Sequence, residues 1–433
     1  MIAWPRCLWR DQTLMVNLPR RATAAATLVV ESGAAADPPG RAGLATLLAR
    51  LLQAGTPDMD AELAVGLERL GARFATHAGW DALRLTVEAP RSSLAAAVAL
   101  MARHLRTAPG ASLSGTQLQQ HASWVERRWA RPAVVGEAAF REAALRGRCR
   151  MPLEGTPATA RALETVDVER AHGALSAVQR SLLMAGDLTS AEWDEVLGAA
   201  GDLGAPHETR QQHARRVEEP PFGQTAPRLV VVDRPGSGSS LVSLGWRLPS
   251  YSRDGHAALI LYLSALTGAH GSRLTRALRE RESYTYSIGS KLDLSRHSGC
   301  VAISFRVSRA ATASAVRAAV AAIERLSRHG FTANELRVAR AYKAGRMTAN
   351  LQTPRDVCHM MASLVESGRP ADDIFALRDE ILRLSRARLN SLARQTLSLG
   401  RLVVVVVGDA SRVRDGLAEL PLARIATFHP SSP

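Results

Sequence analysis

Two kinds of apolar stretch alternate along the chain. Short continuous runs bounded by turn residues predict buried strands: Ala26-Thr27-Leu28-Val29-Val30, Ala82-Leu83-Arg84-Leu85-Thr86-Val87, Ser181-Leu182-Leu183-Met184-Ala185, Leu229-Val230-Val231-Val232, the strand over 239–246, the strand over 301–307 and the valine run over 402–407. Residues 15–32 read as two strands joined at Pro19-Arg20-Arg21. Between the runs, apolar residues recur three and four apart. This predicts helices over 41–54, 59–70, 94–105, 115–129, 137–145, 191–199, 255–266, 311–327, 333–349, 354–366, 371–384 and 386–397, with shorter ones over 158–163 and 167–175.

The order of these elements repeats. Ala185-Gly186-Asp187-Leu188-Thr189 matches Val407-Gly408-Asp409-Ala410-Ser411, an offset of 222 between Asp187 and Asp409. Gly40 pairs with Gly255 at an offset of 215, and Leu118 with Leu336 at 218. Residues 206–227 are polar, include Pro220 and Pro221, and read as a linker. The expected fold is α/β (α+β), with two homologous halves, 1–205 and 228–433, each a mixed sheet covered by helices. Two such halves on a flexible linker would form one side of a clamshell chamber.

Composition adds limits. At 433 residues, 46% hydrophobic and 22% charged, the chain is globular and too long for a single core. Its net charge of +15 suggests nucleic acid, but the basic residues are scattered over every helix without a like-charge block. Only Lys291 and Lys343 are lysines. Acidic peptides or an acidic partner subunit suit this charge better, so no nucleic-acid partner is expected. Cys7, Cys149, Cys300 and Cys358 are far apart and read as free thiols. The first fourteen residues lack the apolar core of a secretory signal, and no run of eighteen apolar residues exists, so the expectation is a cytoplasmic bacterial protein with no membrane partner.

One stretch concentrates the candidate chemistry. Thr267-Gly268-Ala269-His270-Gly271-Ser272-Arg273-Leu274 predicts a glycine-bearing turn into a short Arg-rich helix that stops at Ser283. A strand with alternating Tyr284, Tyr286 and Ile288 is expected to follow. Arg279 then lies in the helix's last turn and Tyr286 on the strand, two strong donors able to converge on a peptide carbonyl. The same residues also fit a plainer role. Arginine is favoured at a helix C-terminus, Glu280 and Glu282 are near, and the tyrosines can be core. His270 reads either as a substrate contact or as an exposed loop residue. The twelve histidines form no i, i+4 helical pair, and there is no Gly-x-Ser-x-Gly elbow.

The first half carries Asp37-Pro38-Pro39-Gly40-Arg41-Ala42-Gly43-Leu44-Ala45-Thr46-Leu47-Leu48-Ala49-Arg50 and ends its helix at Gly55-Thr56. This resembles the zinc helix of the pitrilysin/insulinase-type metallopeptidases, the inverzincins, whose signature is Gly-Leu-Ala-His-x-x-Glu-His. The frame Gly43-Leu44-Ala45 and Gly55-Thr56 is kept, while the three chemical positions hold Thr46, Ala49 and Arg50. Two His and a Glu at i, i+3 and i+4 share a helix face and so hold zinc and its water. Here that face reads Ala42, Thr46, Ala49, Arg50 and Gln53, and Arg50 puts a fixed charge where the cation would sit. Glu126 stands near the family's downstream glutamate ligand and is also readable as a solvated helix residue.

The second half matches the same family in Gly268, Gly271, Ser272-Arg273-Leu274, Leu278-Arg279 and Tyr286, with Tyr284 a departure close by. The resemblance implies that Arg279 and Tyr286 orient the substrate carbonyl, with Gly268, Gly271, Ser272 and Tyr284 around them. It also implies the split arrangement of processing peptidases, in which one subunit holds zinc and the other keeps only Arg and Tyr. The expected function is therefore a non-catalytic, substrate-positioning subunit, inactive alone. No cofactor is expected in this chain, and zinc is expected in a homologous partner subunit. The alternative is a scaffold subunit of the same fold with no part in proteolysis.

Overall fold

The structure, a computed structural model, describes residues 7–10, 13–53, 61–107, 115–204, 228–248, 253–268, 271–296, 298–395, 397–420, 422 and 425–428. The expected linker, His270 and Gly55-Thr56 lie outside them. The first mixed sheet contains β1 (Cys7–Arg10), β2 (Thr13–Asn17), β3 (Thr23–Val30), β4 (Arg73–Ala78), β5 (Leu83–Pro90) and β6 (Arg180–Gly186). The second contains β7 (Arg228–Asp233), β8 (Ser239–Leu248), β9 (Ile288–Leu294), β10 (Gly299–Ser308), β11 (Val403–Gly408) and β12 (Ile425–Phe428). Their orders are β1-β2-β6-β3-β5-β4 and β12-β7-β11-β8-β10-β9.

The repeat extends to topology. β2 runs parallel to β6, as β7 does to β11, and β3 is antiparallel to β5 and β6, as β8 is to β10 and β11. Only the outer strand differs: β1 joins antiparallel and β12 parallel. The matching Gly-Asp ends do the same work in both. Asp187 Oδ2 accepts the Arg20 backbone N–H at 2.7 Å, and Asp409 Oδ2 accepts that of Gly236 at 3.1 Å. Both donors follow a proline and have positive φ, 63° at Arg20 and 77° at Gly236, so each carboxylate fastens a left-handed turn. The pairing of Gly40 with Gly255 does not hold: Gly40 is in a turn at φ 79°, whereas Gly255 lies inside the helix Arg253–Leu263.

Valine dominates the central strand β11, all six of whose residues are buried, as a strand covered on both faces requires. Alternate residues of β3 point to opposite faces. Ala25 and Val29 face the helix Pro354–Glu366, while Ala26 and Leu28 are equally buried on the other side, where Leu94–Arg106 packs.

The two compact units do not run as contiguous halves. One lies within Met1–Glu126, Leu153–Arg215 and Thr348–Ala376, the other within Arg127–Pro152, Arg216–Met347 and Leu377–Pro433. Helix Pro132–Ala144 therefore covers β7, β8 and β11, and helix Pro354–Glu366 covers β3, β5 and β6. Each begins with proline at its first helical position, and Pro132 and Pro354 are 222 apart, the offset of the two aspartates. Equivalent helices have thus been traded between the sheets. Among the described residues, no helix is long and apolar enough to cross a membrane.

Candidate functional site

The Arg-rich stretch folds less regularly than its sequence suggests. Helix Arg253–Leu263 widens into a π-helical turn, Ser264–Gly268, and Gly271 follows at φ 75°. The helix resumes over Arg273–Thr275 and widens again over Arg276–Arg281. Such widened turns recur at functional sites. Ser272 is buried and its hydroxyl donates to Thr275 Oγ1 at 2.8 Å, so it starts the helix and faces inward. Gly268 is exposed, and a Cβ there would come within 3.3 Å of the Tyr342 ring.

The turn ends on Ser283 in the left-handed region, φ 53°, with the Tyr284 N–H donating to the Leu278 carbonyl at 2.8 Å. This is a helix-terminating cap enlarged by the wider turn. The expected strand through Tyr284 and Tyr286 is absent, and β9 starts only at Ile288. The cap redirects the chain, and the buried Thr285 hydroxyl donates to the Ser287 carbonyl at 3.1 Å, keeping the segment irregular. Tyr286 is left 84% exposed. The Arg279 guanidinium, also exposed, lies 5.3 Å from its ring centroid, a cation–π contact. Among the described residues neither the Arg279 guanidinium nor the Tyr286 hydroxyl has a hydrogen-bond partner, while Tyr284 is half-buried. The structure thus brings Arg279 and Tyr286 together with their donors unspent.

The first-half helix spans Leu44–Leu52. Its frame survives for steric reasons. Gly43 has φ 99°, and a Cβ there would lie 2.4 Å from the Glu154 carbonyl oxygen. Asp37 caps the helix, accepting the N–H groups of Gly43 at 2.8 Å and Ala45 at 2.9 Å. The chemical face has been given other work. Thr46 donates to the Leu153 carbonyl at 2.7 Å, and the Ala49 carbonyl accepts the Thr76 hydroxyl at 2.5 Å. Arg50 stacks on Trp124, 4.2 Å from the ring centroid. Gln53 meets the outer edge of β4 as a peptide group would: its Nε2 donates to the Phe74 carbonyl at 3.1 Å and its Oε1 accepts the Thr76 N–H at 2.8 Å. Glu126 pairs with Arg161 at 2.5 Å. These residues do not fit zinc, and no group of three or more His, Cys, Asp or Glu among the described residues is placed to hold a metal.

His121, unremarked in the sequence, lies beside this face. It is 2% exposed, stacks on Trp124 at 5.7 Å, and neither ring nitrogen has a hydrogen-bond partner among the described residues. Burial first, and then the Arg50 charge, hold its pKa down to about 4. An unfolded histidine titrates near 6.5. The unfolded chain therefore binds the proton first, and the neutral ring's contribution is fully present above about pH 6.5 and lost as pH falls toward 4. Up to roughly 3 kcal/mol is at stake. Urea unfolding at pH 7.5 and pH 4.5 should show His121→Phe losing less stability between the two than the parent. Parallel losses would remove His121 as the cause.

Comparison with known proteins agrees with both halves. The insulinase (peptidase family M16) model matches residues 12–153, and the peptidase M16 inactive domain model matches 181–342. An uncharacterized zinc protease of Mycobacterium tuberculosis is 28% identical over 174 residues, a match spanning 40% of this chain and only 39% of that relative. A peptidase M16 inactive domain from Pseudomonas fluorescens superposes with a TM-score of 0.79 at 16% identity, covering 93% of this chain and 98% of the other. A chain of complex III2 from Candida albicans gives 0.75 at 12% identity, covering 94% and 97%. With the fold repeated in each half, both halves matched, and Thr46, Ala49 and Arg50 at the positions of the zinc signature, the chain belongs to the M16 peptidase family and lacks its catalytic motif.

Proposed function

We propose that this chain is the zinc-free subunit of a heteromeric zinc metalloendopeptidase, in which a homologous partner holds the metal and this chain presents Arg279 and Tyr286 to the peptide. The observation that carries the reading is the exposed, stacked pair with unspent donors. A guanidinium fork and a phenol in that position orient a scissile carbonyl and stabilise the negative charge that develops on it. The description of the mycobacterial relatives as zinc proteases supports peptide hydrolysis as the reaction. The rewired face of Leu44–Leu52 supports placing the metal on another polypeptide.

Purified alone, the chain should cleave no peptide. Mixed with a homologous chain carrying His-x-x-Glu-His, it should restore cleavage that the partner lacks by itself. Cleavage by this chain alone, or full activity of the partner without it, ends the proposal. The likeness to a complex III2 chain favours a second reading, a scaffold subunit. That reading requires an assembly indifferent to substitution of both Arg279 and Tyr286.

A further inference from the structure

The widened turn Arg276–Arg281 has a second side. A hydrogen-bonded turn five residues long sets side chains five apart on one face. Arg276 and Arg281 are so related, and both line a cleft of about 250 Å³. Arg325 and His329, from the end of helix Thr312–His329, line it too. The one carboxylate in its wall, Glu335, is already committed to Arg273, at 2.6 Å from Nε and 2.8 Å from Nη2. Arg273 also donates to the Gly330 carbonyl at 2.6 Å, which fixes it as a structural tie. Among the described residues Arg276, Arg281 and Arg325 have no ion-pair partner. Three uncompensated guanidinium groups thus converge on one concavity.

Like charges around a concave wall repel one another and concentrate a positive field within it. A helix C-terminus accounts for a basic residue such as Arg325 but not for Arg276 and Arg281, which line the same cleft from another element. Guanidinium forks match planar oxyanions and hold them in pairs of hydrogen bonds. Arg276 and Arg281 share their turn with Arg279, which puts the cleft one helical turn from the Arg279–Tyr286 pair. The net charge of +15 favours approach of the same class of ligand.

We propose that the cleft bounded by Arg276, Arg281 and Arg325 receives the carboxylates of acidic side chains, making Asp- and Glu-bearing peptides the favoured ligands. The inference rests on the peptide-handling role proposed above and names the substrate class. It is tested on the full chain by fluorescence anisotropy with three labelled peptides of equal length, bearing Glu, Gln or Lys at the same positions. The Glu peptide should bind about tenfold or more tighter than the Gln peptide at low salt, and the Lys peptide weakest. Arg276→Gln combined with Arg325→Gln should bring the Glu and Gln affinities together while the circular dichroism spectrum is unchanged. Equal binding of the Glu and Gln peptides by the parent chain overturns the proposal. So does a Glu preference that survives the double substitution, which would assign it to the general charge. Inorganic pyrophosphate that binds through the same arginines while the Glu peptide has no advantage would assign the cleft to small oxyanions and equally overturn it. Arg279→Ala separates the two readings. A Glu-to-Gln ratio retained in that variant supports the cleft whatever becomes of overall affinity, and a missing ratio alongside an intact Arg279 effect sinks the cleft alone.

Discussion

Separated within the 206–227 segment, residues 1–205 and 228–433 are each expected to stay unfolded alone and to regain native structure when mixed. The piece 1–205 lacks Pro354–Glu366, whose Val357, Cys358, Met361, Ala362 and Leu364 join Ala25, Val29, Leu183 and Ala185 in one buried cluster. Burying Val357, Met361 and Leu364 contributes about 5–9 kcal/mol at roughly 1.5–3 kcal/mol each. That is comparable with the whole net stability of a typical domain, about 5–15 kcal/mol. The piece 228–433 lacks Pro132–Ala144, which packs on β7, β8 and β11 with Gly136 against Val407 and Leu241, buries Val135 and Phe140, and ties β9 through Arg141 to Asp293 at 2.6 Å. Far-ultraviolet circular dichroism and urea unfolding of each piece and of the mixture provide the measurement. Cooperative unfolding of 1–205 alone would show that the helix is dispensable.

Arg279→Ala, in the assembled enzyme, is expected to lower kcat/KM by roughly 10²–10³, about 3–4 kcal/mol of transition-state stabilisation, the scale of one lost oxyanion donor. Tyr286→Phe should act in the same direction and less, because the ring that meets the Arg279 guanidinium remains. Neither change should alter stability by more than about 0.5 kcal/mol, since both side chains lie at the surface. Arg279→Lys keeps the charge but not the planar fork and should recover only part of the loss. Steady-state kinetics beside thermal unfolding distinguish these outcomes. Full activity in Arg279→Ala would leave the scaffold reading in possession.

The inner strands of both sheets could be read in the sequence because they are continuous apolar runs, and the paired Gly-Asp ends at Asp187 and Asp409 marked the repeat. The edge strands β1, β9 and β12 could not, and β9, half exposed with Lys291 and Asp293 in it, has no such run. The exchange of helices could not. Periodicity identifies Pro354–Glu366 as a helix with a buried face but does not say which sheet that face meets. Tyr284, Tyr286 and Ile288 alternate like a strand, yet the positive φ of Ser283 turns the chain before pairing begins at Ile288. The widened turns around Gly268 and Arg279 have no pattern of their own, because one extra residue per turn leaves local composition unchanged. Thr46, Ala49 and Arg50 announced the absence of the catalytic motif, but not the contacts that stand in its place. The contacts of Arg50 with Trp124 and of Gln53 with β4 join residues distant in sequence.

The trade of Pro132–Ala144 for Pro354–Glu366 bears on why the first half persists at all. Mutual lending of equivalent elements is the habit of swapped pairs of identical subunits, here written into one polypeptide. The unit that carries Arg279 draws part of its own interior from residues 127–152, which belong to the first half of the sequence, as does the helix Leu44–Leu52. Deleting the first half would strip that interior, so the catalytic motif is dispensable to this fold in a way that residues 127–152 are not.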